Sequence, residues 1–142
     1  MRQFPQPMLE DEPDPADICL VQEGLREFNR RYAPDDGHGP LTVFLRDADH
    51  AVVGGLLGGT YWGWLHVDIL WLREDVRHAG HGQAMLQMAE QEAVRRGCRH
   101  AHLETHSFQA LPFYEKQGYT VFAQLSDLPE GHTKYFMRKE LS

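Results

Sequence analysis

Apolar residues recur along the chain with two different periods, and the helical period marks three segments. The first segment spans residues 15–32, and its apolar side chains, three or four positions apart, are Ile18, Val21, Leu25 and Phe28. A longer helix is predicted at about 78–96, ended by Gly97, and a two-turn helix at 110–117, ended by Gly118. Glycine suits both ends because it adopts the left-handed conformation that closes many helices.

Segments with strand character fill most of the remaining chain. Six are predicted, at about 41–45, 51–60, 64–72, 98–105, 119–125 and 134–141. Segment 64–72 is apolar except for His66 and Asp68 on one face, which predicts a central strand buried on both faces. A strand, a helix and a strand in succession predict parallel neighbours, whereas the shorter connections favour antiparallel pairing. The expected fold is therefore α/β with a mixed sheet.

Length and charge narrow the class of protein. The chain has 142 residues with no repeat or linker, so residues 1–142 are predicted to form a single domain. The formal net charge of -7 argues against general binding to nucleic acid or to anionic lipid, because both favour clustered cations. The same acidic balance favours a cationic substrate.

One segment raises the question of a membrane span. Residues 51–72 are long and apolar, but they contain five glycines, His66 and Asp68. Two buried strands joined by a tight turn explain them better. The N-terminal residues lack an apolar stretch of signal-peptide length, so a cytoplasmic location is expected, with Cys19 and Cys98 as reduced thiols in the core.

A glycine-containing turn follows the predicted central strand and opens the long helix. It reads Arg77-His78-Ala79-Gly80-His81-Gly82. The first amide groups of a helix lack carbonyl partners and carry the positive end of its dipole, so such a turn can receive phosphate oxygens. The cationic side chains can add charge, and glycine lets the backbone approach a ligand. The spacing of Gly80 and Gly82 alone does not separate two interpretations: the glycines form a phosphate site, or they only shape a tight turn.

The context of this turn resembles a known family. RHAGHG, then a helix, then SFQALPFYEKQGY resembles the coenzyme A site of the Gcn5-related N-acetyltransferases (GNAT) over about residues 64–125, and DLPEGHTKYFMRKEL resembles a subset of bacterial members. The resemblance implies a single-domain GNAT fold with a mixed, mostly antiparallel sheet of six or seven strands and about four helices. It also implies acetyl-CoA as cofactor and acetyl transfer to a primary amine of a small molecule or peptide by direct attack. Pro5 and Pro7 interrupt the region of the family's first strand.

The resemblance also suggests cofactor-binding residues. The parallel strands beside the long helix should separate, so that the pantetheine arm lies along strand 64–72, lined by Trp71 and Leu72. Tyr114 matches the position of the family's general acid, near the cofactor sulfur. Ser107 stands where the family often has asparagine, and it can bond the pantetheine or cap the short helix that follows.

An amine acceptor requires a group that takes up its proton. An alkyl ammonium with a pKa of about 10.4 is neutral in about one molecule in 2,500 at pH 7. The candidate bases are Asp68, Glu74, Glu104 and His106. We expect Asp68, which should face the interior or the cleft, or Glu74 to act. Alternatively, Asp68 is a buried carboxylate hydrogen-bonded to His66 or to the backbone.

Other polar and aromatic residues leave further possibilities. His100, His102 and His106 share one predicted strand face, but no cysteine or carboxylate cluster completes a ligand set, so no metal is expected. Candidate walls for a cationic amine are Trp62, Trp64, Phe108 and the acidic loop at Asp35 and Asp36.

Rival functions use the same turn. A non-catalytic acyl-CoA sensor or interaction module would keep the phosphate turn without a competent base. A nucleotide-phosphate binder is disfavoured because a P-loop lysine is absent and the spacing is wrong. Exposed sheet edges or the final strand would also allow a homodimer.

Overall fold

The structure is a computed structural model that describes residues 4–34 and 39–141. It divides into two compact units, Met1–Asp35 and Asp36–Ser142. The proposed acidic wall at Asp35 and Asp36 lies outside the described residues. No helix in the described ranges combines the length and the apolarity needed to cross a membrane.

The first unit contains helix α1, Pro15–Asn29. The Asp14 side chain caps it by accepting a hydrogen bond from the amide of Ala16 at 2.9 Å. Proline is tolerated in this first turn, where the amide has no helical partner. The helix ends at Asn29 rather than at residue 32, because the next residues form single turns, with the Tyr32 amide bonded to the Asn29 carbonyl at 3.0 Å.

The second unit is built on a six-stranded mixed sheet. In chain order its strands are β1 (Gly39–Arg46), β2 (Val52–Tyr61), β3 (Trp64–Leu72), β4 (His100–His106), β5 (Thr120–Ser126) and β6 (Thr133–Glu140). Their order across the sheet is β1-β2-β3-β4-β6-β5. Only β3 and β4 pair in parallel, and the other four neighbouring pairs are antiparallel. The prediction of a mixed, mostly antiparallel sheet is confirmed.

Two α-helices and one short 3₁₀ turn complete this unit: α2 is His81–Arg95, α3 is Leu111–Lys116, and the 3₁₀ turn is Glu74–Val76. The described residues thus contain three α-helices rather than about four. Helix α2 begins at His81 rather than at residue 78, because His78 and Gly80 have φ of 64° and 84°, which the right-handed helix excludes.

Helix α2 covers one face of the sheet and forms the core there. Its buried side chains on this face are Leu86, Ala89 and Ala93. The same core cluster contains alternate residues of the two parallel strands: Leu65, Val67, Ala101 and Leu103. Because strand side chains alternate between faces, the intervening residues of β3 and β4 project from the opposite face.

The prediction that β3 is buried on both faces is wrong. Leu65 and Val67 are buried, but Ile69 and Trp71 are 48% and 49% exposed. Pairing with β4 stops at Val67, so the carboxyl-terminal part of β3 lacks a strand neighbour on that side. Apolar character alone did not reveal where the neighbouring strand would end.

A buried polar cluster links α2 to the final strands. The carboxylate of Glu90, 8% exposed, accepts a hydrogen bond from the Tyr119 hydroxyl at 2.7 Å and pairs with Lys139 Nζ at 3.0 Å. Burial and the adjacent carboxylate raise the pKa of Tyr119, so its hydroxyl stays protonated. The prediction of two core thiols holds for Cys98, which is buried, and is wrong for Cys19, which is exposed.

Candidate functional site

The parallel strands β3 and β4 part before either of them ends. They are paired from Trp64 opposite His100 to Val67 opposite Leu103. Beyond that pair β3 continues to Leu72 and β4 to His106 without pairing to each other. The carboxyl ends of the two strands therefore leave an opening between them, of the kind expected for a pantetheine arm.

The opening begins at an irregularity in β3. Ile69 pairs with Leu57 of β2, but Val67 pairs with the adjacent Gly58, which leaves Asp68 as the extra residue of a bulge. Gly58 permits this geometry, since a Cβ atom there would lie 2.3 Å from the carbonyl oxygen of His66. The bulge therefore depends on a glycine in the neighbouring strand.

The turn before α2 presents unpartnered amide groups. Within the described part of the chain, no carbonyl or side-chain atom accepts a hydrogen bond from the amides of residues 78–83. Gly80 is the N-cap, with φ of 84° and open space where a Cβ would lie. A run of free amides at the positive end of a 15-residue helix fits a diphosphate. The predicted phosphate turn therefore has suitable donors.

The two glycines of this turn have different environments. Gly82 is buried, and a Cβ there would lie 3.4 Å from Phe113 of α3 and 3.7 Å from the side chain of Leu72. A Cβ at these distances would make ordinary van der Waals contacts with α3 and the end of β3, so packing does not require glycine at this position. Gly80, which is exposed, is the glycine whose missing side chain leaves the turn open.

Three basic residues, Arg77, His78 and His81, belong to the turn. Arg77 donates from Nε to the carbonyl oxygen of Leu72 at 2.9 Å, which ties the turn to the end of β3. His78 is exposed, Ala79 lies beside it, and His81 is half-buried in the first turn of α2. The structure thus brings Leu72 and residues 77–82 together at one end of the opening, with the exposed Trp71 adjacent in β3.

A cluster of three polar residues lies on the sheet face opposite α2. His66 of β3 is directly opposite His102 of β4, and their rings stack with centroids 4.5 Å apart. Glu104, two residues farther along β4, places Oε2 2.8 Å from His66 Nε2. Desolvation by burial, reinforced by His66, lowers the pKa of His102, which keeps its imidazole neutral near pH 7.

Three of the predicted bases, Asp68, Glu74 and His106, lie at separate positions around the opening. Asp68 is exposed at the bulge, and its carboxylate contacts none of the described polar groups; His66 pairs with Glu104 instead. Glu74 is exposed and begins the 3₁₀ turn beyond β3. His106 is half-buried at the end of β4, where its Nδ1 lies 3.1 Å from Gln109 Oε1.

Tyr114 and Ser107 occupy dissimilar environments. Tyr114 is 7% exposed in the core cluster, and burial raises the pKa of its hydroxyl to about 12. Ser107 is exposed, and its Oγ accepts from the amide of Thr133 at 3.1 Å. The interpretation of Ser107 as a helix cap is wrong, because Ala110 occupies the N-cap of α3, and the Ser107 hydroxyl bonds the Thr133 amide instead of the first turn of this helix.

An aromatic pocket of about 490 Å³ lies beside the three-residue cluster. Its lining residues are Tyr61, Trp62, Trp64, His102, Phe122 and Arg138. Arg138 lies over the Trp64 ring, 5.0 Å from its centroid. Two of the expected wall residues, Trp62 and Trp64, line this pocket, whereas Phe108 stacks on His106.

Sequence reasoning did not identify the His66–Glu104 pair, Phe122 or Arg138. The alternation of side chains along each strand places His66 on an outward face of β3, and His102 and Glu104 on an outward face of β4. The parallel register of β3 and β4 was needed to bring them together, and no short motif encodes it. Phe122 and Arg138 come from β5 and β6, which follow later in the chain.

The chain is similar in sequence and fold to known acetyltransferases. The profile of the Acetyltransferase (GNAT) family matches residues 6–119. Acetyltransferase Atu2258 from Agrobacterium fabrum is 33% identical over 132 residues, 93% of this chain and 96% of the relative. Blasticidin-S acetyltransferase from Streptomyces morookaense is 42% identical over 91 residues, 63% of this chain and 67% of the relative. The crystal structure of an acetyltransferase from Bacillus cereus superposes with a TM-score of 0.85 at 28% identity, covering 94% of this chain and 98% of that one.

Proposed function

Since the chain belongs to the GNAT acetyltransferase family, whose cofactor is acetyl-CoA, we propose that it acetylates a primary amine of a small molecule or peptide by direct attack. One observation carries this proposal: β3 and β4 stop pairing at Val67 and Leu103, beside a turn with six successive amides, residues 78–83, that have no hydrogen-bond partner among residues 4–34 and 39–141. An opening for a thioester arm and donors for its diphosphate thus lie at the same end of the sheet.

The cofactor is held by backbone groups more than by side chains. The amides of residues 78–83 bind the diphosphate. The exposed Arg77 adds charge, and the exposed His78 and half-buried His81 add ring nitrogens. Trp71 and Leu72 flank the pantetheine arm along β3, and Ser107 lies near the end of β4 as a further polar contact. When bound, acetyl-CoA supplies the acetyl group as a thioester that the neutral amine attacks.

His66 and Glu104 are the groups best placed to remove the amine proton. The Nε2–H of His66 donates to Glu104 Oε2 across 2.8 Å, which leaves the Nδ1 lone pair to accept the proton. Glu104 then stabilises the imidazolium. Asp68, exposed at the bulge, and Glu74, beyond the end of β3, are the alternative bases, with fewer contacts to orient them.

Tyr114 serves as a hydrogen-bond donor to the departing thiolate. Its pKa, raised by burial to about 12, lies well above the value of about 8.5 of an ordinary thiol. Complete proton transfer from this hydroxyl would therefore be unfavourable. A donated hydrogen bond still stabilises the negative charge that develops on sulfur.

The aromatic pocket favours an amine carried by a flat, conjugated ring. Four aromatic side chains and the Arg138 guanidinium line it, and such groups bind planar rings by stacking. The pocket includes His102, whose ring stacks on His66, so a ring bound there would lie beside the proton-accepting pair. The name of the relative from Streptomyces morookaense makes blasticidin S the first amine to assay.

Two measurements test the proposal. Acetyl-CoA at 100 times its dissociation constant should add about 2.7 kcal/mol of stability and raise the melting temperature by several degrees. Thiol release should then be followed with blasticidin S, other amines on planar rings, polyamines, aminoglycosides, amino acids and peptides. Release that is faster for ring-bearing amines supports the proposal. A thermal shift without release for any amine would instead indicate an acyl-CoA sensor.

A further inference from the structure

The cluster of His66, His102 and Glu104 combines three metal-binding side chains on one sheet face. One ligand atom from each residue lies within 4.8 Å of the other two. His66 and His102 are paired residues of adjacent parallel strands, so the sheet register fixes the separation of their backbones. All three side chains are half-buried. We propose that this cluster binds one divalent transition-metal ion of the Zn²⁺ class.

The chemistry of the three ligands selects the kind of ion. Two imidazoles and one carboxylate suit Zn²⁺, Co²⁺ or Ni²⁺, whereas Mg²⁺ and Ca²⁺ prefer oxygen ligands alone. Metal–ligand bonds of about 2.0–2.2 Å place tetrahedral ligand atoms about 3.3 Å apart. His66 Nε2 and Glu104 Oε2 are 2.8 Å apart, and all three ligand atoms lie within 4.8 Å of one another, so the side chains must rotate to bring the three atoms to that spacing.

The third ligand distinguishes this cluster from an ordinary ion pair. His66 and Glu104 satisfy each other without His102. His102 nevertheless directs its ring against His66, where it adds a nitrogen to the same space. Three protein ligands leave a fourth position for water or another ligand, as in exchangeable rather than purely structural zinc sites. His102 also lines the aromatic pocket, so the fourth position lies next to it.

A bound ion would inhibit the enzyme, an inference that rests on the proposed function. An ion bound through His66 Nε2 would displace the Nε2 proton to Nδ1, the atom that otherwise accepts the amine proton, so it would inhibit acetyl transfer. Inhibition should be relieved by a chelator, and it should compete with the amine rather than with acetyl-CoA, whose diphosphate binds at residues 78–83.

Metal binding is tested on the full chain without a polyhistidine tag. A Cys19→Ser background removes the exposed thiol, which would also take Zn²⁺. Zn²⁺ is titrated by calorimetry and Co²⁺ by its visible absorption, with no acetyl-CoA or amine present. We expect one ion per chain, a tetrahedral or five-coordinate Co²⁺ spectrum, and a rise in melting temperature with Zn²⁺.

Variants locate the ion. His102→Gln and Glu104→Gln should each weaken binding at least tenfold, whereas His100→Gln, a half-buried control on the same strand face, should leave the affinity unchanged. No 1:1 binding, or equal affinity in His102→Gln, would overturn the metal site. Because these titrations contain no substrate, an enzyme that acetylates amines but binds no ion refutes only the metal site. A chain that binds the ion but transfers no acetyl group refutes only the proposed function.

Discussion

His66 Nε2 lies 2.8 Å from Glu104 Oε2 where two parallel strands separate: His66 belongs to the penultimate residue pair, and Glu104 directly follows Leu103, the last paired residue of β4. His66 belongs to the third strand and Glu104 to the fourth, with the whole of helix α2 between them in the chain. The pair is half-buried, so its interaction is less screened than that of a surface ion pair. It lies where the opening for the pantetheine arm begins.

Replacing Glu104 by Gln should lower kcat by about a hundredfold, because it removes the carboxylate that stabilises the His66 imidazolium, and general-base catalysis contributes at least that factor. Cofactor affinity should stay unchanged, since Glu104 is on the sheet face opposite α2. Steady-state kinetics with acetyl-CoA in excess measure the effect. Asp68→Asn is the matched control, because it removes one exposed carboxylate next to the same opening. A loss confined to Asp68→Asn would identify Asp68 as the base.

Replacing Tyr114 by Phe should lower kcat by at least about tenfold, because a hydrogen bond to a charged group contributes about 1.5–3 kcal/mol and about 1.4 kcal/mol corresponds to a tenfold change in rate. Burial raises the pKa of Tyr114 to about 12, so the hydroxyl stays protonated until the pH approaches that value. The wild-type pH–rate profile should therefore show no loss from Tyr114 below about pH 11. An unchanged kcat in the variant would remove Tyr114 from the mechanism.

Two glycine substitutions should have opposite effects on stability. Gly58→Ala should lower the free energy of unfolding by about 2–4 kcal/mol, because its Cβ would lie 2.3 Å from the His66 carbonyl oxygen. Gly82→Ala should be neutral or stabilising by up to about 1 kcal/mol, because its Cβ meets Phe113 at 3.4 Å and alanine favours the helix. Urea denaturation measures both. Equal destabilisation would contradict the role of Gly58 at the bulge.

Replacing Tyr119 by Phe should lower the free energy of unfolding by about 1–3 kcal/mol, since the buried carboxylate of Glu90 loses a donor at 2.7 Å. The raised pKa of the Tyr119 hydroxyl also makes its contribution to the free energy of unfolding depend on pH. That contribution is complete below the pKa of tyrosine in the unfolded chain, about 10, and declines as the pH rises beyond it. Denaturation of both proteins across this range should show their difference shrinking at alkaline pH. A difference in the free energy of unfolding that does not change with pH would contradict this role of the Tyr119–Glu90 hydrogen bond.

Local patterns in the sequence determined much of the fold and one part of the site. Strand and helix periods depend on neighbouring residues, so β3 was placed at its observed bounds, 64–72, and the order of elements in the second unit was correct. The turn from Arg77 to Gly82 was also found, because glycines between a strand and a helix are a local signal. The early start assigned to α2 failed because the left-handed φ of His78 has no clear sequence signal.

The tertiary structure alone decided which outward-facing side chains meet. His66 and Asp68 were expected on one face, but the bulge opposite Gly58 interrupts the alternation at Asp68, and the β3–β4 register brings Glu104 to His66 instead. Pairing register is set by the packing of α2 against the sheet and by contacts between strands far apart in the chain. Local periodicity contains no information about that alignment, so the three-residue cluster could be recognised only in the folded chain.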